Sequence, residues 1–303
     1  MLAWMSAVLL ATSTQALDAT FENDLVFVTL RTADGTVVRV YTDTGGGMFL
    51  YADSAERAGL LAPGEEAVSY ARAAPGHLTS VLGADTRIGA MPRQDPPGCD
   101  GAVGLSLGEA DGMFGGRWFA GRAWHFDYEA ETLHIVPGGN VPETGGWTGF
   151  GLHFREDPDV PEHERPHFPR VSVEIGGETV ELLFDTGAQG CHVLPGEDGP
   201  PLWRATSFIS ASLAARWRAS HPDWRYLEGG DGLFQPTDMI EAENVRLAGK
   251  DLGPVWFVIR PDENFSEFMS QWMDEPVVGA LGGNALSGRE VILDYPARRG
   301  AIR

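Results

Sequence analysis

The sequence predicts a mainly β protein: two homologous β-barrel-like lobes related by a pseudo-twofold axis, with few short helices. Three observations predict it. The 303-residue chain carries 39 glycines and 20 prolines without a collagen-like period, which suits many short strands joined by tight turns. Helical periodicity is confined to three short stretches. Finally, the chain repeats itself in two separate blocks that occur in the same order, the mark of a duplicated unit.

Composition narrows the classes of partner. Lys and Arg number 22 against 43 Asp and Glu, leaving a formal charge of −21. A polyanion of that size repels nucleic-acid phosphates and anionic membrane surfaces, so neither is an expected partner. The 43% hydrophobic content is enough for a sizeable core. Only Cys99 and Cys191 are present, which excludes a disulfide-built fold and a Cys-rich zinc module. In an oxidising compartment the two would bridge the lobes; otherwise they are two buried free thiols, and the sequence leaves both readings open.

The elements follow in chain order. Residues 1–16 (MLAWMSAVLLATSTQA) are uncharged, with an apolar run from Leu2 to Ala11 and small residues at Thr14 and Ala16. The run is short for a bilayer span and has the length of a signal-peptide core, although no basic residue precedes it. The expected location is therefore periplasmic or secreted, with no membrane span in the mature chain. Residues 17–138 form the expected first lobe and 166–303 the second. Val26–Gly45 (VFVTLRTADGTVVRVYTDTG) matches Val171–Gly187 (VSVEIGGETVELLFDTG), each reading as two strands joined by a turn and running into Asp-Thr-Gly. A second echo closes each half: Gly121–Ala130 (GRAWHFDYEA) lines up with Gly288–Ala297 (GREVILDYPA). Residues 139–165 are a polar connector whose middle, Trp147–Phe154, is a candidate strand tying the lobes together. Helices are expected over 54–61 and 206–220, the latter with Phe208, Ile209, Leu213 and Trp217 on one face. A third is expected where Phe265, Phe268, Met269 and Trp272 recur at helical spacing.

The doubled Asp-Thr-Gly carries the chemistry. A strand as branched as Val37-Val38-Arg39-Val40 is largely buried, and ending it in Asp43 is costly unless that carboxyl has a task. Gly45 and Gly187 permit close approach of another group, while the Thr44 and Thr186 hydroxyls can bond neighbouring backbone. A pseudo-twofold axis would bring the carboxyls of Asp43 and Asp185 together. Like charges about 4 Å apart cost roughly 4 kcal/mol at an effective dielectric near 20. That equals about three pKa units, so one carboxyl keeps its proton while the other ionises. Such a pair holds a general acid beside a general base and can activate a water between them. The duplicated Asp127 and Asp294 are a rival pair, but the polar sequence after each suggests an exposed hairpin.

These residues resemble the bilobal aspartic peptidases, both pepsin-like enzymes and their retropepsin-like bacterial relatives. The resemblance rests on Tyr41-Thr-Asp43-Thr44-Gly45-Gly46 and Leu183-Phe-Asp185-Thr186-Gly187-Ala188. It rests also on paired hydrophobics before glycine, at Ala102-Val103-Gly104 and Val277-Val278-Gly279. It implies the acid-protease fold, in which that second strand passes through the loop presenting each Asp. It further implies catalytic Asp43 and Asp185, a dyad supported by Thr44, Gly45, Thr186 and Gly187, and no metal or organic cofactor. The implied substrate is a protein or peptide lying extended between the lobes, and a monomer suffices because one chain completes the pair. The implied product is an exported aspartic endopeptidase; the alternative is an inactive relative that binds peptides or inhibits a partner. Gly46 and Ala188 depart from the pepsin-like habit of Ser or Thr after Asp-Thr-Gly, so a weakly acidic optimum is expected. Tyr70 is the candidate substrate-binding flap tyrosine. His163-Glu-Arg-Pro-His167 fits a zinc-protease pattern, but Pro166 within it opposes the helix that such chemistry needs.

Overall fold

The computed structural model describes residues 14–32, 35–60, 88–93, 99–139, 141–142 and 144–303. The first lobe is a six-stranded sheet. Edge to edge it runs Ala19–Glu22, Leu25–Arg31, Val37–Thr42, Gly112–Phe114, Met48–Tyr51 and Gly89–Met91. The second lobe is nine-stranded: Arg170–Ile175, Glu178–Asp185, Gly279–Gly282, Ser207–Ser210, Lys250–Arg260, Thr237–Leu247, Tyr226–Asp231, Gln189–His192 and Leu202–Ala205. Thr237–Leu247 also pairs with Arg170–Ile175, which closes six of these strands into a barrel.

The local reasons are visible in the residues. Arg170–Ile175 sends Val171, Val173 and Ile175 inward and Ser172 and Glu174 outward, the alternation of a strand with one face in a core. Leu25–Val28 and Val40–Thr42 are buried on both faces, so the first is an unbroken apolar run and the second closes on Thr42, whose hydroxyl donates to the Val26 carbonyl (2.8 Å). Arg170 is itself buried and is neutralised by Asp274 (2.8 Å) and by Glu181.

A third sheet joins the lobes, in the order Gln15–Ala16, Thr132–Val136, Ala123–Asp127, Glu290–Asp294, Arg299–Ile302 and Thr148–Gly151. Its two central strands are the closing repeats, paired antiparallel. His125 faces Ile292, its own equivalent in the repeat, and the flanking pairs are Ala123–Asp294 and Asp127–Glu290. This register places the pseudo-twofold axis between His125 and Ile292. The connector contributes Thr148–Gly151, so its middle is indeed a strand. Gln15 and Ala16 pair with Ile135 and His134, so cleavage after Ala16 would remove the strand at this sheet's edge.

Four expectations are corrected. The helix expected over 206–220 begins only at Ala211 and runs to Ser220; Ser207–Ser210 is a strand between Lys250–Arg260 and Gly279–Gly282, where ladder pairing outweighs helical spacing. The stretch around Phe265–Trp272 forms a π-helical turn, Asn264–Met269, followed by a 3₁₀ turn, Ser270–Trp272. The changed winding leaves Phe265 buried but Phe268 and Trp272 exposed, so the expected apolar face does not form. Asp294 is fully buried rather than on an exposed hairpin, because its carboxyl accepts from the Gly139 and Ala297 amides. The fourth concerns Ala102-Val103-Gly104 and belongs with the site. The first expected helix forms over Ala52–Arg57. No helix among the described residues is long and apolar enough to cross a membrane.

Candidate active site

Each Asp-Thr-Gly sits where a buried strand leaves its sheet, and a second strand passes behind it. In the second lobe, Glu178–Asp185 runs parallel to Gly279–Gly282 with Asp185 opposite Gly282, as expected from Val277-Val278-Gly279. In the first lobe the corresponding strand is Gly112–Phe114, parallel to Val37–Thr42. The Asp43 amide donates to the Phe114 carbonyl (3.0 Å) and the Gly116 amide to the Gly46 carbonyl (3.1 Å). The Ala102-Val103-Gly104 assignment is therefore wrong. Val103 is nearly half exposed, and its segment docks on the second lobe opposite Leu202, beside the Cys99–Cys191 disulfide that joins the lobes. The sequence held the right signal. The closing repeat extends backwards without a gap, so that Gly112-Met-Phe-Gly-Gly116 matches Gly279-Ala-Leu-Gly-Gly283. These glycines are needed for threading: a β-carbon on Gly115 would lie 1.9 Å from the Gly46 carbonyl oxygen, and one on Gly282 would lie 1.8 Å from that of Thr206.

The two carboxyls meet at the lobe boundary. Asp43 and Asp185 are hydrogen-bonded to each other. Each also packs on the glycine of the opposite motif. A β-carbon on Gly187 would lie 2.3 Å from the Asp43 carboxyl carbon, and one on Gly45 would lie 2.8 Å from that of Asp185. The Gly45 amide donates to Asp43 (2.9 Å) and the Gly187 amide to Asp185 (3.1 Å). Thr44 and Thr186 are fully buried beneath the pair. The Thr44 hydroxyl donates to the Phe184 carbonyl (2.6 Å) and accepts from the Thr186 amide (3.0 Å), while the Thr186 hydroxyl accepts from the Thr44 amide (3.3 Å). The motif thus clasps its copy through polar groups that have no other outlet.

Burial raises both carboxyls, because the charged form loses water. Asp43 is held well above the ordinary carboxylate range, since the charge of Asp185 adds to its burial; the backbone amides of Gly45 and Gly46 partly offset this. Asp185 rises less, because it accepts from Asp43 and from the Gly187, Ala188 and Gly45 amides. Two carboxyls held this close in a buried site do not both ionise readily, so the pair shares one proton over a span of pH. Both keep a sliver of exposure, 7% and 9%, enough to touch solvent.

The glycine after the first motif has a steric cause. A β-carbon on Gly46 would lie 2.4 Å from an Asp43 oxygen and 2.5 Å from the Met113 sulfur, so the thioether fills the place a hydroxyl would take. Tyr41 is a site residue the sequence reading passed over: it is fully buried and its hydroxyl donates to the Gly187 carbonyl (2.6 Å). Tyr70 lies outside the described residues. In the zinc-like motif, Glu162–Glu164 is a single 3₁₀ turn, and His167 adopts a left-handed φ of 56° with its Nε2 bonded to the Glu162 carbonyl (2.7 Å). No α-helix runs there to align two histidines.

No family model matches the sequence, and no curated protein matches it either. Among solved structures the chain is similar to the aspartic proteinase from Irpex lacteus, at 11% identity and a TM-score of 0.50, covering 96% of this chain and 97% of that one. At that identity the likeness speaks for the fold alone, and in that fold, mostly β with few helices, this chain is built as an aspartic proteinase is.

Proposed function

We propose that the chain is an aspartic-type endopeptidase. The observation that carries the reading is the pair of buried carboxyls, one from each lobe, hydrogen-bonded together where the two copies of the motif clasp. The ionised carboxylate takes a proton from a water as its oxygen bonds to the scissile carbonyl carbon. The protonated partner gives its proton to the carbonyl oxygen, yielding a neutral gem-diol. Collapse of the diol breaks the C–N bond: the nitrogen takes a proton from the protonated carboxyl and leaves as an amine, while a diol hydroxyl gives its proton to the ionised one, which leaves a carboxylic acid and a dyad again holding one proton. The substrate class is an extended polypeptide, which the strand edges flanking the lobe boundary can pair with. The disulfide, together with the apolar N-terminal run, supports an exported protein, since such bridges persist in oxidising compartments.

The test is hydrolysis of a denatured protein between pH 3 and 8 by the purified chain, with Asp43→Asn and Asp185→Asn as controls. Cleavage that a pepstatin-type inhibitor blocks and either substitution abolishes is the expected result. Peptide binding without cleavage, equal in all three proteins, would favour an inactive binding protein instead.

A further inference from the structure

The sheet that joins the lobes has a face the dyad does not use. Trp124 and Phe126 point into the core, and Trp124 packs on Trp118 (ring centroids 4.4 Å), in the helical turn Gly116–Phe119 whose first amide holds the Gly46 carbonyl. The alternate residues His125 and Asp127 therefore project from the opposite face. On that face His125 is paired with His134, and Asp127 with Glu290 from the second lobe. The His125 Nε2 lies 2.9 Å from a Glu290 oxygen, and one ligand atom from each of His125, Asp127 and Glu290 lies within 4.8 Å of the other two. Three atoms so placed share a point no more than about 2.8 Å from each, and reaching zinc-ligand distances from there takes about 0.7 Å of side-chain movement.

Three features mark a ligand set rather than a simple ion pair. Asp127 and Glu290 are like charges directly opposite each other on neighbouring strands, an unfavourable pairing unless a cation sits between them. Arg303 holds Glu290 by its Oε1 (2.7 Å), and the Glu129 and Ala130 amides hold Asp127 by its Oδ1 (3.1 and 2.8 Å), so each carboxylate is anchored through one oxygen and keeps the other. The Nδ1 of His134 is buried with no hydrogen-bond partner among the described residues, and its ring lies against that of His125 (centroids 6.0 Å). Nor does the duplication account for these residues. At the repeat-equivalent positions of His125 and Glu290 stand Ile292 and Ala123, so the set exists on one side of the axis only.

We propose that His125, Asp127 and Glu290, with His134 as the fourth donor, form a site for a divalent cation of the zinc class that ties the closing repeats of the two lobes together. Two imidazoles and two carboxylates suit that class, whereas calcium and magnesium take oxygen donors. Uptake expels the proton between His125 and Glu290 to solvent. The ion then bonds to ligands from three neighbouring strands, Thr132–Val136, Ala123–Asp127 and Glu290–Asp294. Its role is structural, and it stands apart from the hydrolytic reading above.

The test is calorimetric titration of zinc into the untagged, chelator-treated full chain. It is repeated with His125→Ala, His134→Ala and Glu290→Gln, and with His153→Gln as a control at an exposed imidazole elsewhere. One ion per chain is expected, with the affinity lowered at least about tenfold by each of the first three substitutions and unchanged by the fourth. Calcium at the same concentrations should give no binding heat. Zinc should also raise the melting temperature of the wild type, and raise it less in Glu290→Gln, because a ligand of the folded state stabilises that state. Should the variants fail to fold, the wild type alone decides: in its NMR spectrum the imidazole nitrogens of His125 and His134 must shift on adding zinc while the other imidazoles stay in place. No zinc binding, calcium bound as tightly as zinc, or an affinity that survives any of the three substitutions would overturn the proposal.

Discussion

Gly187→Ala is the sharpest mechanical test of the dyad. The added methyl would sit 2.3 Å from the Asp43 carboxyl carbon and 2.4 Å from its β-carbon. Ordinary contact begins at 3.4 Å, so something must move by 3.4 − 2.3 = 1.1 Å. The obstructing atoms belong to a short side chain fixed at a strand end, so the shift falls on the carboxyl or on the lobe boundary. Overpacking of this kind costs about 1–3 kcal/mol, and misplacing a reacting group by about 1 Å costs roughly a hundredfold in rate. Gly45→Ala is the graded control. Its methyl meets the end of the Leu183 side chain at 2.7 Å and the Asp185 carboxyl at 2.8 Å, a smaller shortfall of which the flexible leucine can absorb part. The assays are kcat/KM on a denatured protein substrate and thermal melting of both variants. The expected order is a large loss for Gly187→Ala and a smaller one for Gly45→Ala. Wild-type turnover in Gly187→Ala would show that the carboxyl does not need this position, and the dyad argument would fail.

Thr44→Val removes the donor to the Phe184 carbonyl and the acceptor for the Thr186 amide, both buried. It is expected to cost about 2–4 kcal/mol by denaturant unfolding, because stranded buried polar groups lose about 1–3 kcal/mol each; an unchanged midpoint would refute the clasp. Replacing Cys99 and Cys191 with Ser opens a loop of sequence separation 92. The expected loss is about 4–5 kcal/mol in the chain-entropy account, and a loss below about 1 kcal/mol would contradict it. The dyad also sets a pH dependence. Because folding raises both carboxyls above 3.8, their contribution to stability is complete below that value and is lost as pH rises through their folded values. Asp43→Asn should therefore melt higher than the wild type at neutral pH, the gap closing towards pH 4; a gap that widens on acidification would reverse the sign. Asp53, Asp238 and Asp274, lowered mainly by Arg93, Tyr226 and Arg170, act oppositely, and their contribution is lost as pH falls below 3.8.

Duplication made the architecture legible. The paired strands, the closing repeats and the position of both aspartates could be read because each appears twice in the same order, and the register at His125 and Ile292 is that repeat folded onto itself. What escaped was whatever depends on a partner distant in sequence. Phe208 and Ile209 carry helical spacing, yet they complete a ladder between two strands from elsewhere in the chain. Ala102-Val103-Gly104 has the right residue types for the strand behind Asp43 and is drawn off to the other lobe beside the disulfide. Tyr41 opens the first motif, yet nothing local shows that its phenol oxygen will find a carbonyl 146 residues away.

The departures from symmetry are related to one another. In the repeat, Met113 corresponds to Ala280 and Gly46 to Ala188. Where the strand behind the aspartate carries the large side chain, the loop in front carries none; where the strand carries a methyl group, the loop has one as well. Bulk has moved between two facing positions, the kind of exchange a packed interior tolerates best. Its chemical consequence is that neither loop presents a hydroxyl, and the donors to both carboxyls other than the pair's own bond are backbone amides. Those amides are not equally shared: Asp43 accepts from Gly45 and Gly46, Asp185 from Gly187, Ala188 and Gly45. The Gly45 amide, which serves its own carboxyl and the one opposite, is where the two motifs stop acting as copies, so the inequality of the pair is built into the contact between the lobes.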